Sequence, residues 1–267
     1  TGWNLSRIIG PAFAGLLIAW LAGGDKTSTY GVGIVYLVIA SLYLFSALTV
    51  LKVDRPGKVQ RNRDTDSWSD MQEGLRYVME HPRVFALIVL SILPFLFGMP
   101  LNTLLPAFNQ DVLHGHADDL GYLISAMGGG AIIGSLLMAT MGDLRNKGFW
   151  LIASCLGWGA VTAVFGASAV QWAALASIAL IGMLSSWNMS LNRGMLQMQV
   201  EDHMRGRIMS IDMMSHGLMP LGVFPISLIA EYYGVGAALV TSGFALIVIT
   251  VLVALFMPSV RGTLRAD

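Results

Sequence analysis

Charge is scarce in this sequence. Only 12% of its 267 residues are Asp, Glu, Lys or Arg against 55% hydrophobic, where a soluble domain carries about 25% charge, so a water-soluble globule is excluded. Cysteine is scarcer still: Cys155 stands alone inside an apolar run, which rules out an internal disulfide and leaves a small buried hydrophobe. The five histidines are scattered. His114 and His116 share a loop with Asp118 and Asp119, but no second cluster completes a coordination sphere, so no metal and no cofactor is expected. No nucleophile-base pair or paired carboxylates gather at one interface, so the chain does not read as an enzyme. The formal net charge is zero, and no nucleic-acid partner is expected. Thr1 rather than Met stands first, with none of the basic, apolar and small-residue succession of a signal peptide, and the chain reads as a piece of something longer.

What the sequence does have is long apolar runs. They come in blocks of about 20 residues, the length an α-helix needs to cross a bilayer core of about 30 Å. Two precede and six follow one hydrophilic stretch, Lys52 to Arg83. The blocks are too long and too uniformly apolar for the strands of a membrane barrel, so the expected fold is an all-α polytopic membrane protein with eight transmembrane helices.

In the first block, about Ile8 to Gly24, Gly10, Ala14 and Gly15 put small residues on one helix face, and Pro11 weakens the helix near its start. The second, about Tyr30 to Leu51, is featureless aliphatic. Within the hydrophilic stretch, Trp68 to Val84 has Trp68, Met71, Leu75, Val78 and Met79 at helical spacing with charges between, and predicts an amphipathic helix lying on the membrane surface. The third block, about Val84 to Phe108, carries Pro94, Pro100 and Pro106, with Gly98, Asn102 and Thr103 among them. Regular helix is hard to sustain there, and interrupted helices at membrane depth line cavities or are covered by protein, so this block is expected beside a solute pathway.

The fourth block, about Leu120 to Met141, has Ala126, Gly130 and Gly134 at four-residue spacing, a close-packing face. Gly142 to Gly148 then forms a polar turn. The fifth block runs about Phe149 to Ser168. The sixth, about Val170 to Asn192, ends with Ser185, Asn188 and Asn192 on one face and Trp187 beside them; amides in a bilayer engage either a neighbouring helix or a solute. A polar connection, Arg193 to Arg207, leads to the seventh block, about Ile208 to Ala230, which holds Asp212 and His216 a turn apart and then Pro220 and Pro225. The eighth, about Val235 to Met257, is plain aliphatic. From the third block onward Lys and Arg occur only at alternate connections, which by the positive-inside rule face the cytoplasm, along with the C-terminus.

Ser6 and Pro11 match Ser215 and Pro220 at one offset, so the first and seventh blocks occupy equivalent places in two repeats. That gives each repeat six spans and leaves four to precede Thr1. At this point the chain resembles the major facilitator superfamily, in which two six-helix bundles are joined by a long cytoplasmic loop. Asn4 to Gly15 is similar to the Gly-Pro motif of the fifth helix in exporter branches, and Leu196 to Ser210 to the start of helix eleven in the branch that includes enterobactin and macrolide exporters. The resemblance implies a major facilitator fold with helices five to twelve present and the first four of twelve missing. Residues 1–51 would end the N-terminal bundle, 52–83 form the central cytoplasmic loop, and 84–267 form the C-terminal bundle. The family's loop motif between helices eight and nine survives as Asp143, Arg145 and Lys147, with Ala139 where its Gly is expected.

The functional expectation is a secondary active exporter of amphipathic small molecules such as drugs or siderophores, in the inner membrane, working by alternating access with protons as the candidate coupling ion. Asn102, Thr103, Trp187, Asn188, Asn192, Met213 and His216 are expected near the pathway. Asp212 is the candidate coupling acid, with a water-exposed structural carboxylate as its other reading. Asp143 is either a latch against Arg7 that holds the bundles together or a cap within its own turn, and Arg145, Lys147, Arg205 and Arg207 belong to the same set of gating positions. Gly10, Pro11, Gly15, Gly130 and Gly134 are assigned to helix packing. A polytopic membrane enzyme and a transporter-derived sensor without flux are the alternatives.

Overall fold

The computed structural model describes residues 29–51, 67–140 and 146–256. Arg7, Gly10, Pro11, Gly15, Asp143 and Arg145 lie outside these, so the latch pair and the first Gly-Pro motif have no structural account. The described residues are helical almost throughout and fall into two compact units, one holding the helix before Leu51 and the other everything from Ser67 onward.

The first unit contributes α1 (Thr29–Leu51). Its apolar side chains occupy the whole circumference, and Leu37, Leu42, Phe45 and Leu51 are all exposed. A helix apolar on every side belongs in hydrocarbon rather than water.

In the second unit, α2 (Ser67–Glu80) is the amphipathic helix. Two residues further on begins the longest proline-bearing span, composed of α3 (Pro82–Leu93), a π-helical turn (Pro94–Gly98) and α4 (Pro100–Asp111). The expected interruption is therefore milder than the sequence suggests. Pro82, Pro94 and Pro100 each sit in the first turn of a segment, where a missing N–H costs nothing, and the chain crosses the proline-rich region by widening one turn. Met99 N–H donates to the Pro94 carbonyl at 2.8 Å, the five-residue step of a π-turn. Pro106 is accommodated inside α4.

Next come α5 (Ala117–Thr140), α6 (Lys147–Ala167) and α7 (Gln171–Gln199). Helix α7 runs a further two turns beyond Asn192, where the sequence suggested a polar connection. Residues 194–199, Gly-Met-Leu-Gln-Met-Gln, are mostly good helix formers, so Arg193 stands on a helix. The seventh block becomes α8 (Arg205–Met214), a 3₁₀ turn (Ser215–Leu218) and α9 (Met219–Tyr233), and α10 (Val235–Phe256) closes the described chain. Six of these segments are long and apolar enough to cross a membrane: 82–111, 118–140, 147–167, 171–199, 205–233 and 235–256.

Two seams hold the second unit. A side chain on Gly130 would collide with the Ala179 carbonyl, one on Gly134 with that of Met183, and one on Gly182 with that of Met127, so α5 and α7 meet backbone to backbone. Helices α6 and α10 meet the same way: a Cβ on Gly159 would lie 2.7 Å from the Gly243 carbonyl oxygen, and one on Gly166 would lie 2.8 Å from that of Gly236. In lipid no hydrophobic effect drives helices together, so close approach of this kind, with its dense van der Waals contact, supplies the cohesion. Between the seams lie the fully buried Phe108, Trp158, Phe165, Ile178 and Leu196, with the Phe108 and Phe165 rings 4.4 Å apart.

Candidate functional site

Three spans converge through polar side chains at the end of the unit that carries Arg83, Lys147, Arg193, Arg205 and Arg207. Helix α8 brings Asp212, which is 3% exposed. Across from it, α3 brings Ser91, whose hydroxyl donates to Asp212 Oδ1 at 2.5 Å. From α7, Arg193 Nε lies 3.7 Å from Asp212 Oδ2, with about half of its side chain exposed. That separation exceeds hydrogen-bond reach, so the arginine is a loose counter-ion. A carboxylate at membrane depth needs such a partner, because burial of an unpaired charge is costly.

The amides on α7, Asn192 immediately before Arg193 and Asn188 one turn before Asn192, bond neighbouring helices through their nitrogens. Asn188 Nδ2 donates to Ser154 Oγ at 2.9 Å and lies 3.0 Å from Cys155 Sγ and 3.3 Å from the Leu151 carbonyl, tying α7 to α6. Asn192 Nδ2 donates to the Leu87 carbonyl at 3.0 Å, tying α7 to α3. Of the two readings open for these amides, their nitrogens take the neighbouring helix. Asn192 Oδ1 is different: it is buried and has no partner. Ser91, Phe95, Asn188, Asn192, Arg193 and Asp212 all line one small cleft of about 10 Å³.

Other sequence-predicted residues sit elsewhere. Asn102 is half-buried on α4, with Nδ2 3.1 Å from Met99 Sδ, and Thr103 is exposed. Trp187 is half-buried, its ring 5.9 Å from Trp150 and its Nε1 buried without a partner. Met213 and His216 are exposed; the His216 ring packs on Phe95 at 4.1 Å, and its Nδ1 is 3.1 Å from the Met213 carbonyl. Asn188, Asn192 and Asp212 are thus brought together, whereas Asn102, Thr103, Trp187, Met213 and His216 do not line the cleft.

The basic residues at this end make bonds within the unit. Arg207 bridges α8 to α2, with Nη2 2.6 Å from Asp70 Oδ1 and Nη1 2.9 Å from Glu73 Oε1. Arg205 pairs with Asp202 at 2.6 Å, and Lys147 is half-buried at the start of α6. Beneath the Arg207 clamp, a wider groove of about 390 Å³ runs between α2, α3 and α8, lined by Met71, Leu75, Ile88, Ile92, Ile211 and Met214 among others. Among the described residues, no group of three or more His, Cys, Asp or Glu could hold a metal ion.

Sequence reasoning missed Ser91 and Arg193. Both left a signal: Ser91 is the one hydroxyl in the apolar run Val84 to Leu93, and an acid inside a span calls for a cation at the same depth, which Arg193, next to Asn192, provides.

A model of the transmembrane secretion effector family matches residues 1–263. The chain is 27% identical over 252 residues to the staphyloferrin A transporter of Staphylococcus aureus, covering 92% of this chain and 59% of that protein. It is 23% identical to macrolide efflux protein A of Streptococcus pyogenes, over 93% of this chain and 60% of the relative. It is 24% identical to the multidrug efflux pump Tap of Mycolicibacterium fortuitum, over 97% and 62%. The chain therefore spans about three-fifths of the length of these relatives, all of which are transporters by name. No solved structure matches.

Proposed function

We propose, since this chain belongs to the transmembrane secretion effector family of the major facilitator superfamily, that it forms the larger part of a proton-coupled exporter of amphipathic small molecules. A transport role and a multi-pass membrane location come with the family; efflux, coupling and direction are our reading. The observation that carries it is the Asp212, Ser91 and Arg193 cluster, an ionisable group placed where three spans meet, since intramembrane acids mark solute and proton pathways.

In this reading the protein sits in the inner membrane with its C-terminus in the cytoplasm, and residues 1–51 complete an N-terminal bundle whose other helices precede Thr1. Residues 52–83 link it to the bundle formed by 84–267. The two bundles rock about a midplane site. Asn102, Thr103, Trp187, Met213 and His216 offer the solute apolar and amide contacts along the pathway, and Asp143 against Arg7, with Arg145, Lys147, Arg205 and Arg207 nearby, latches the cytoplasmic side. The multidrug and macrolide efflux proteins among the relatives support a drug-like solute, and the staphyloferrin A transporter supports a siderophore.

The test is accumulation of erythromycin and ethidium in cells lacking their major pumps, with and without the full-length gene. The expected result is lower accumulation that an uncoupler restores; equal accumulation in both strains would overturn efflux, and lower accumulation insensitive to the uncoupler would overturn proton coupling. Asp143→Asn should weaken export, and unchanged export would refute the latch.

A further inference from the structure

The groove of about 390 Å³ between α2, α3 and α8 shares no lining residue with the polar cleft. Eleven of its twelve lining residues are apolar, and the twelfth, Ser215, is buried. Its mouth opens between Leu75 and Met79 on α2 and Met214 on α8, which are 54%, 67% and 58% exposed, while Ile88 on its floor is 5% exposed. Trp68, two turns before Leu75 on the same stripe of α2, is exposed as well, and a tryptophan in that setting marks the level of lipid headgroups. An amphipathic helix with such a stripe rests in the boundary between headgroups and chains. The groove therefore opens to hydrocarbon rather than to water.

A void of that kind does not stay empty in a membrane, where cohesion rests on van der Waals contact. Its lining indicates what fills it. Pockets for drug-like molecules place a set of polar groups to orient the ligand, and the lone Ser215 offers one hydroxyl. A hydrocarbon chain needs none. Met71, Met79 and Met214 form flexible, unbranched walls that adapt to a bent chain. Volume limits the number of chains: at about 30 Å³ for each methylene-sized group, a water molecule's share of liquid volume, the groove holds about a dozen carbons. That is most of one acyl chain and too little for two.

We propose that this groove is a binding site for one acyl chain of a phospholipid in the leaflet at the basic end, seated between α2 and the spans that contain α3 and α8. It requires a membrane location but not export. The chain, not the headgroup, is what is held. Arg207 is engaged by Asp70 and Glu73, Arg76 pairs with Glu80 at 2.8 Å, and Arg83 falls by helical spacing on the face of α3 opposite Phe85 and Ile92. None of the three is free at the mouth to select a phosphate. Gly74 brings α2 so close to α8 that a Cβ on it would lie 3.0 Å from Ile211 Cδ1, and Ile211 lines the groove. The chain thus lies against the seam that the Arg207 pairs close from the other side, and it completes the attachment of α2 to the bundle.

Photolabelling tests the site, using full-length protein in nanodiscs of phosphatidylcholine, a fraction of which carries a diazirine on one acyl chain, followed by peptide mapping. Adducts are expected on Ile88, which lines the groove but is too enclosed for bulk lipid to reach. Leu75→Trp and Met214→Trp fill the mouth from exposed positions that tolerate a larger side chain. Each should cut labelling of Ile88 about tenfold, since overpacking costs at least that factor in binding. Leu136→Trp, at an exposed position on α5, should leave it unchanged. Phosphatidylglycerol with the same labelled chain should mark Ile88 as strongly as phosphatidylcholine does. Ile88 unlabelled while Leu136 is labelled would overturn the proposal and mean that another part of the protein fills the groove. Labelling indifferent to both blocking variants would also overturn it. A preference of about tenfold or more for phosphatidylglycerol would replace the chain site with a headgroup site.

Discussion

Between α5 and α7 the helices meet backbone to backbone at Gly130, Gly134 and Gly182, whereas at the basic end α3, α7 and α8 meet through Ser91, Asn192, Arg193 and Asp212. The glycine seam has no adjustable part: every contact is main chain, and any added atom must push a helix aside. The polar cleft is the reverse. Its contacts are side-chain ends, one of them loose at 3.7 Å and one acceptor empty. The first kind of joint fixes the distance between two helices, and the second leaves side-chain ends free to rearrange between them.

The sharpest way to break this contrast is a single methyl group. Gly130→Ala should destabilise by at least about 1–3 kcal/mol, the usual range for overpacking, because the new atom meets the Ala179 main chain; thermal unfolding of the solubilised full-length protein reads it out. If Gly130→Ala is neutral, the seam is not main-chain contact. Asn188→Leu comes next. It removes the cross-link to Ser154, Cys155 and Leu151, and interhelical hydrogen bonds in membranes average about 0.6 and reach about 1.7 kcal/mol, so the same measurement should show a smaller loss. Arg207→Gln releases α2 from α8 at a cost of about 0.2–1 kcal/mol, the range for partly exposed ion pairs. Hydrogen exchange over residues 67–80 should rise, and the wild-type difference should shrink as salt screens the pairs. The smallest effect has the opposite sign: Gly129→Ala, next to the seam but with nothing within 4 Å of its new atom, should stabilise by about 0.5 kcal/mol through helix propensity alone.

Much of this was legible in the sequence because membranes impose long apolar blocks and because glycine spacing of four marks one helix face. Gly130 and Gly134 were identified that way, and the structure gives them their partner, α7. The second seam, Gly159 with Gly243 and Gly166 with Gly236, went unread. Its glycines are spaced by seven, and each makes sense only against a helix far away in sequence. At the site, Asn188, Asn192 and Asp212 stood out as polar residues in apolar runs. Ser91 did not, since a lone serine is cheap in a helix, where its hydroxyl can bond a main-chain carbonyl a turn back. Arg193 was assigned to a connection, because charge after an apolar run reads as the end of a span, and only the continued helix to Gln199 puts it opposite Asp212.

The π-turn at Pro94–Gly98 has a further consequence. The turn itself is gripped from three directions: Gly222 packs on the Leu96 carbonyl, the Ser242 hydroxyl donates to the Phe97 carbonyl at 2.5 Å, and the Trp158 ring lies 2.7 Å from where a Cβ on Gly98 would stand. A bend welded to three neighbours is an elbow cast in place, with no freedom of its own. The angle between α3 and α4 is therefore set by α9, α10 and α6 rather than by the prolines alone, and with it the place at which Ser91 meets Asp212.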